Sequence, residues 1–161
     1  MRPPLALAWA LILSGGFGVA RSDPTPTQSN YFNDPFVQLT DGLPACPTPD
    51  GPLLTADEGR AQAHGRVERG TSCYQDGRCR LPNSYLYDKE IMPRVKKAVD
   101  ARGDLGNDTR VWALGQRRWV WLKGCVSHPE QAAALVQLVR ELDDVEGVID
   151  DMVVTPSPSG R

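Results

Sequence analysis

The side chains that could carry catalysis or hold a metal are few in this sequence, and they stand apart from one another. Neither of the two histidines, His64 and His128, has a neighbouring serine or cysteine in an evident partner role. Ser72, beside Cys73, does not complete a nucleophile elbow. We therefore expect no catalytic residues and no bound cofactor, and we predict that the protein is not an enzyme.

Two acidic pairs are the remaining candidates for a metal site. Asp143 and Asp144 form the first pair, and Asp150 and Asp151 form the second. Neither has the ligand spacing or the turn glycine of a calcium-binding loop. The pairs are more typical of solvated charges at turns and strand edges, so the sequence predicts no metal site.

The four cysteines predict two disulfide bonds. Cys73 and Cys79 bracket a turn-forming stretch, residues 75–78, so we expect them to pair, and closing this short loop is worth about 2 kcal/mol. The pair Cys46 and Cys125 follows by elimination. A four-cysteine metal site is the rival interpretation, but the chain has no Cys-x-x-Cys spacing.

The amino-terminal residues predict export. A basic start, an uncharged apolar run over residues 5–13 and small residues after it are typical of a secretory signal peptide, cleaved after Ala20 or, as a second choice, after Ser22. A membrane anchor is the alternative, but the run is about half the roughly 20 residues that a spanning helix needs. A periplasmic or secreted protein without a membrane span in its mature form is expected. The formal charge of −2 argues against nucleic acid as a partner.

Two short apolar runs, residues 111–114 and 119–122, predict a hairpin, with Gly115 and Gln116 suited to its turn. Because strand side chains alternate between faces, one face carries valine, alanine and leucine. The other face, here called the Trp face, carries Arg110, Trp112, Trp119 and Trp121. A two-residue turn would place Trp112 opposite Trp119 and Arg110 opposite Trp121, whereas a four-residue turn would shift the partners and preserve the faces.

The Trp face is either a binding face or a covered one. Exposed indoles are costly unless they bind something. The stretch 31–39 or the region of Cys46 could cover them, and a Cys46–Cys125 disulfide would hold such a cover in place. A mixture is the third possibility, with cover over part of the face and a groove at its edge.

Helix signals place three helices around this hairpin. A capping box at Thr55 and Glu58 begins the first, which is expected to run toward Arg69 and stop at Gly70. The second begins near Asp88, or nearer Ile91 because of Pro93, and ends at residues 102–104. A capping box over residues 127–130 begins the third, which ends at residues 143–144, and a last strand covers residues 145–154.

The region from about residue 88 to residue 154 resembles a BON domain. The second-strand signature of that family matches WVWLKGCV, residues 119–126, with Gly124 at the signature glycine. The end of the family pattern matches DVEGVIDDMVV, residues 144–154, where Asp144 replaces a glycine and Asp150 an asparagine. We expect Gly124 to need a close backbone approach or an unusual φ.

The resemblance implies an α+β fold of helix, strand, strand, helix and strand, with a three-stranded sheet and two helices on one face. The expected division is a signal peptide (1–20), a Pro-rich, disulfide-stapled extension with one helix (21–86), a BON-like domain (87–155) and a flexible tail (156–161). It also implies a non-catalytic module of the bacterial envelope that engages phospholipid or another envelope component. A structural protein–protein module of an envelope or secretion complex is the alternative.

Overall fold

The computed structural model describes residues 26–155. The predicted signal peptide and the predicted tail lie outside the described residues. The class is α+β, as predicted, and the expected order of helix, two strands, helix and strand is present. The principal elements are β1 (Gln28–Ser29), β2 (Phe36–Gln38), β3 (Leu54–Thr55), α1 (Ala56–Gln75), α2 (Asp88–Ala101), β4 (Thr109–Gln116), β5 (Trp119–Val126), α3 (Pro129–Arg140) and β6 (Gly147–Val154).

The main sheet has four strands in the order β2, β4, β5, β6. Strands β4 and β5 are antiparallel, and β6 runs parallel to β5. The fourth strand, β2, comes from the extension and pairs antiparallel with β4, so that Phe36 lies opposite Leu114. The sequence predicts only three strands, because β2 is three residues long and follows Asp34 and Pro35 in a stretch with turn composition.

The hairpin turn differs from the prediction. Arg117 and Arg118 form the turn, with φ values of 58° and 68°, and the strands extend through Gly115 and Gln116. A turn with two positive φ values matches the twist of a two-residue hairpin, although it usually contains Asn-Gly. Gly115 serves another purpose: a Cβ there would lie 3.0 Å from Met92, so it permits the close approach of α2.

The shifted turn also changes the predicted cross-strand pairs. Trp112 lies opposite Lys123, and Trp119 lies opposite Gln116. Arg110 lies opposite Cys125, not Trp121. The predicted opposition of Trp112 and Trp119 is therefore wrong. The two faces survive, because a shift of the turn by two residues preserves the alternation.

Helix α1 begins with the predicted capping box of Thr55 and Glu58 but continues through Gly70 to Gln75. Gly70 is buried, and a Cβ there would overlap the Asn83 side chain, so this glycine permits a close packing contact inside the helix and does not end it. Helix α2 begins at Asp88, with Pro93 inside it.

Helix α3 is capped one residue later than predicted. His128 is the N-cap, and the Gln131 side chain, not Glu130, accepts the amides of Ser127 and His128 at 3.0 and 2.9 Å. The helix ends at Arg140, short of the predicted acidic end at residues 143–144, and β6 begins at Gly147 rather than at residue 145.

The main core lies between the sheet and the pair α2 and α3. Burial of this apolar surface is the chief stabilising contribution to the fold. The core combines sheet residues Val111, Ala113, Val120 and Leu122 with helix residues Ile91, Val95, Val99, Leu135 and Val139. Helices α2 and α3 therefore cover the valine face, and the extension lies against the opposite Trp face.

Candidate ligand-binding site

The extension covers one half of the Trp face. A disulfide joins Cys46 to Cys125, with 5.8 Å between the Cα atoms, and forms a small buried cluster with Leu43. Trp112 is only 6% exposed. The Arg110 guanidinium lies 5.2 Å from the Trp112 ring centroid and donates a 2.7 Å hydrogen bond to the Cys46 carbonyl oxygen. This half of the face is therefore closed to a ligand.

Arg110 is also compensated electrostatically. Its Nε atom lies 2.9 Å from the Asp41 carboxylate. The two groups form an ion pair, although their relative orientation does not allow a hydrogen bond. The guanidinium thus contacts Asp41, Pro44 and Cys46 of the cover and has little capacity left for a ligand. We assign Arg110 to the cover, although the sequence suggested it as a binding residue.

The other half of the Trp face remains partly open. Trp119 and Trp121 are partly buried and border a cavity of about 380 Å³, here called the Trp groove. Trp119 packs against β6, where a Cβ on Gly147 would lie 2.6 Å from its ring. The remaining walls are Arg69, Tyr85, Gln116, Arg117 and Ile149.

A second cavity of about 230 Å³, here called the arginine pocket, adjoins the Trp groove. The two cavities share Arg69, Arg117 and Trp119. The arginine pocket is also lined by Arg78, Arg118, Glu146, Ser72, Ser84 and Cys73. An apolar groove that opens beside a basic pocket can receive a ligand with one apolar and one anionic part.

The arginines of the pocket fall into two groups. Arg78 lies 2.9 Å from Asp76, and Arg118 lies 3.1 Å from Glu146. Within residues 26–155, neither the Arg69 nor the Arg117 guanidinium forms an ion pair or a hydrogen bond. The pocket therefore carries two cationic side chains that form no ion pair with a carboxylate among the described residues.

The buried carboxylate of Asp88 holds the turn that carries two of these arginines. The amides of Arg117 and Arg118 donate to its two oxygens at 2.7 and 2.8 Å. Desolvation by burial raises the pKa of Asp88 from 3.8 to about 6, against the lowering effect of the two hydrogen bonds. Consecutive positive φ values at non-glycine residues are strained, and this carboxylate is what compensates for the strain.

Arg66 anchors helix α1, which also carries Arg69, next to the groove. Its guanidinium is stacked between two rings, 4.2 Å from the centroid of Phe32 and 3.8 Å from that of Tyr85. It also pairs with the buried Asp34, which accepts a 2.6 Å hydrogen bond from Gln116. Helix α1, the extension and the hairpin are thereby joined next to the groove.

The short disulfide adjoins the arginine pocket, which Cys73 lines. Cys73 and Cys79 are bonded, and Arg118 lies 3.3 Å from the Cys79 sulfur. The bond ties the end of α1 to the loop that leads toward α2. One disulfide thus holds the cover on the Trp face, and the other contributes Cys73 to the wall of the arginine pocket.

The other candidates for chemistry do not come together. His64 lies 3.3 Å from Glu68 on the exposed side of α1, and Ser72 donates to the Arg69 carbonyl oxygen. Asp144 pairs with Arg94 at 3.0 Å, and Asp150 accepts the Met152 amide. Residues 26–155 contain no group of three or more histidine, cysteine, aspartate or glutamate side chains that could hold a metal ion.

A family comparison identifies the carboxy-terminal part of the chain. The model of the BON domain matches residues 87–156. Residues 87–156 are a BON domain. Neither the comparison with curated proteins nor that with solved structures finds a match. BON domains bind lipids or proteins and are a non-catalytic family.

The BON domain supplies the hairpin, its turn and Trp119 and Trp121, while the extension supplies Arg69 and the cover. None of the helices in residues 26–155 has both the length and the hydropathy needed to span a bilayer. Two disulfides are compatible with an oxidising, extracytoplasmic compartment.

Four residues that line the two cavities were not predicted as site residues: Arg69, Arg117, Arg118 and Tyr85. Arg117 and Arg118 escaped notice because the turn was placed at Gly115 and Gln116. Adjacent arginines directly before the strand that begins at Trp119 were the available signal. Arg69 could not be assigned to the site, since α1 was expected to end there.

Proposed function

We propose that this protein is an exported, non-catalytic binding module of the bacterial envelope, and that it binds phospholipid through the Trp groove. The observation that carries the proposal is the half-open Trp face. The extension buries Trp112, yet it leaves Trp119 and Trp121 partly exposed beside Ile149. Amphipathic aromatic side chains of this kind favour ligands that have both apolar and polar parts.

The position of the cationic side chains supports the same proposal. Arg69 and Arg117 line the polar end of the groove, whereas Trp121 and Ile149 line its apolar part. A phospholipid likewise has an anionic phosphate next to its acyl chains, so its phosphate would face the arginines and its chains would face Trp121 and Ile149. Export rests on the amino-terminal sequence pattern and on the two disulfides.

Vesicle binding by two matched variants tests the proposal. We expect wild-type protein to sediment with phospholipid vesicles and its tryptophan emission to shift to the blue. Trp121→Thr should weaken sedimentation and the shift, because threonine keeps the strand propensity but removes the indole. Leu53→Thr is the control, since Leu53 is 48% exposed and lies outside the groove. Equal binding by both variants, or no binding by wild type, would overturn the proposal.

A protein–protein module is the second candidate, and one observation favours it. A further cavity of about 370 Å³ lies between α1 and the segment that leads into α2. Val67 and Leu86 at its rim are 59% and 45% exposed. A crosslinked envelope protein that is lost in a Val67→Asp variant, together with an absence of vesicle binding, would support this alternative.

A further inference from the structure

We infer that the arginine pocket binds a terminal phosphate group, a phosphomonoester, with Arg69 and Arg117 as its direct ligands. The inference deepens the proposed function and rests on it in one respect, the continuity of the pocket with the Trp groove. It names the charged group that the binding module selects. The phosphate belongs either to a lipid head group or to a soluble phosphorylated compound.

The charge of the pocket matches this ligand. The ion pairs of Arg78 with Asp76 and of Arg118 with Glu146 account for two of the four arginines. Arg69 and Arg117 remain without a carboxylate partner in the described part of the chain. Two uncompensated positive charges complement a phosphomonoester, which carries about −1.5 to −2 at neutral pH. A phosphodiester, with a single charge, would leave one arginine unmatched.

The directions from which the arginines approach also favour a phosphate. Arg69 comes from α1, whereas Arg117 and Arg118 come from the hairpin turn, so the cationic groups surround the cavity from different elements. A tetrahedral oxyanion can accept hydrogen bonds from several directions, and guanidinium groups suit its oxygens. Arg118 is held by Glu146 and by the Asp144 carbonyl oxygen at 2.8 Å, so we regard it as a positioning residue.

The strained turn is an independent observation that indicates function. Arg117 and Arg118 both have positive φ, where asparagine and glycine would fit better. Their amides are held by Asp88, a carboxylate that is 1% exposed. Strain of this kind clusters at functional sites. The Arg117 side chain has no hydrogen bond or ion pair within residues 26–155, so structural stability does not explain it.

The test compares ligands and then variants. Binding of inorganic phosphate and of glycerol phosphate to the full protein is measured by calorimetry. Binding is also measured to three kinds of vesicle: phosphatidylcholine alone, phosphatidylcholine with phosphatidic acid, and phosphatidylcholine with phosphatidylglycerol. The two anionic preparations are adjusted to the same surface charge. We expect phosphatidic acid to be preferred over phosphatidylglycerol, because only the former has a terminal phosphate. Binding of the soluble phosphates as well would identify the free group as a sufficient ligand, and binding to phosphatidic acid alone would identify the lipid as the source.

Arg117→Asn, Arg69→Gln and the control Arg140→Gln separate recognition from folding. Asparagine relieves the strain at position 117, so we expect an unchanged or higher melting temperature together with a loss of phosphate affinity of about tenfold or more. Arg69→Gln should show a similar loss. Arg140 is exposed on α3 and lies outside both cavities, so its variant should bind like wild type.

Failure of this inference differs from failure of the proposed function. Vesicle binding that needs Trp121 but is unchanged in Arg117→Asn would overturn the phosphate site and leave the lipid function standing. Equal losses in all three arginine variants, or equal binding to the two anionic lipids, would show general charge attraction and also overturn it. Binding of soluble phosphate that is lost in Arg117→Asn, without any vesicle binding, would support the site and contradict the lipid function.

Discussion

Replacing Asp88 by asparagine should change how the stability of this protein depends on pH. The carboxylate is 1% exposed, and its burial raises its pKa from 3.8 to about 6. Between these two values the folded protein holds a proton that the unfolded chain has released, so the free energy of unfolding falls as pH rises. At 1.36 kcal/mol per pKa unit, a shift of about two units corresponds to roughly 3 kcal/mol.

The sign of this effect defines the pH window. The contribution of Asp88 to stability is fully present below about pH 4 and is lost as the pH rises through about 6. Urea unfolding of the wild-type protein and of Asp88→Asn, measured across this window, gives the difference between their free energies of unfolding. Groups that titrate alike in both proteins, such as Glu58 and Asp104, cancel in the subtraction.

We expect the advantage of the wild-type protein over Asp88→Asn to shrink by about 3 kcal/mol between pH 4 and pH 7. The two amide hydrogen bonds from the hairpin turn act in the opposite direction, because they favour the ionised form. If the difference between the two free energies of unfolding stays constant with pH, the effects of burial and of these hydrogen bonds on the pKa of Asp88 cancel. A difference that grows with pH would mean that the bonds dominate, and either result would refute the reasoning.

Two further predictions concern stability. Gly124→Val should lower the free energy of unfolding by more than about 1 kcal/mol, because Gly124 has a φ of 121° and a Cβ there would overlap a carbonyl oxygen of β4; an unchanged melting temperature would contradict this. Replacing Cys46 and Cys125 together by serine opens a 79-residue span and should lower the free energy of unfolding by about 4.5 kcal/mol. The same replacement of Cys73 and Cys79, which are six residues apart, should lower it by about 2 kcal/mol. Chemical denaturation of the two double variants measures both costs, and the reverse order would count against the entropic argument.

Hydrophobic periodicity was sufficient to predict the core of the BON domain. The stripe that includes Ile91, Val95 and Val99 predicted α2, and alternation along the hairpin separated the valine face from the Trp face. Both signals depend only on which residues are apolar and on their spacing. They are local, and tertiary packing did not override them.

Elements that depend on contacts between distant residues were not predictable. Strand β2 forms where Phe36–Gln38 pairs with β4, and a three-residue run after Asp34 and Pro35 is too short to predict a strand on its own. Helix α1 continues past Gly70 because Asn83 packs there, a contact between segments 13 residues apart. The hairpin turn lacks the asparagine and glycine that would have marked it, since Arg117 and Arg118 occupy strained positions.

The extension determines how much of the Trp face a ligand can reach. A BON domain with bare indoles would offer a broad apolar surface, whereas here the disulfide of Cys46 with Cys125 closes one end of that surface. Strand β2 holds the cover along one edge, and Arg66, stacked between Phe32 and Tyr85, attaches α1 beside the groove.

Three separate attachments of different chemistry make this cover difficult to displace, because each can be lost without releasing the others. Under the proposed function, the Trp groove is therefore a preformed site and not one that opens when the cover moves away. A preformed site loses little conformational entropy when a ligand binds, because the extension is already ordered. The binding free energy is therefore not reduced by the cost of ordering it. This explains how a small groove can serve a binding module whose aromatic face is otherwise half covered.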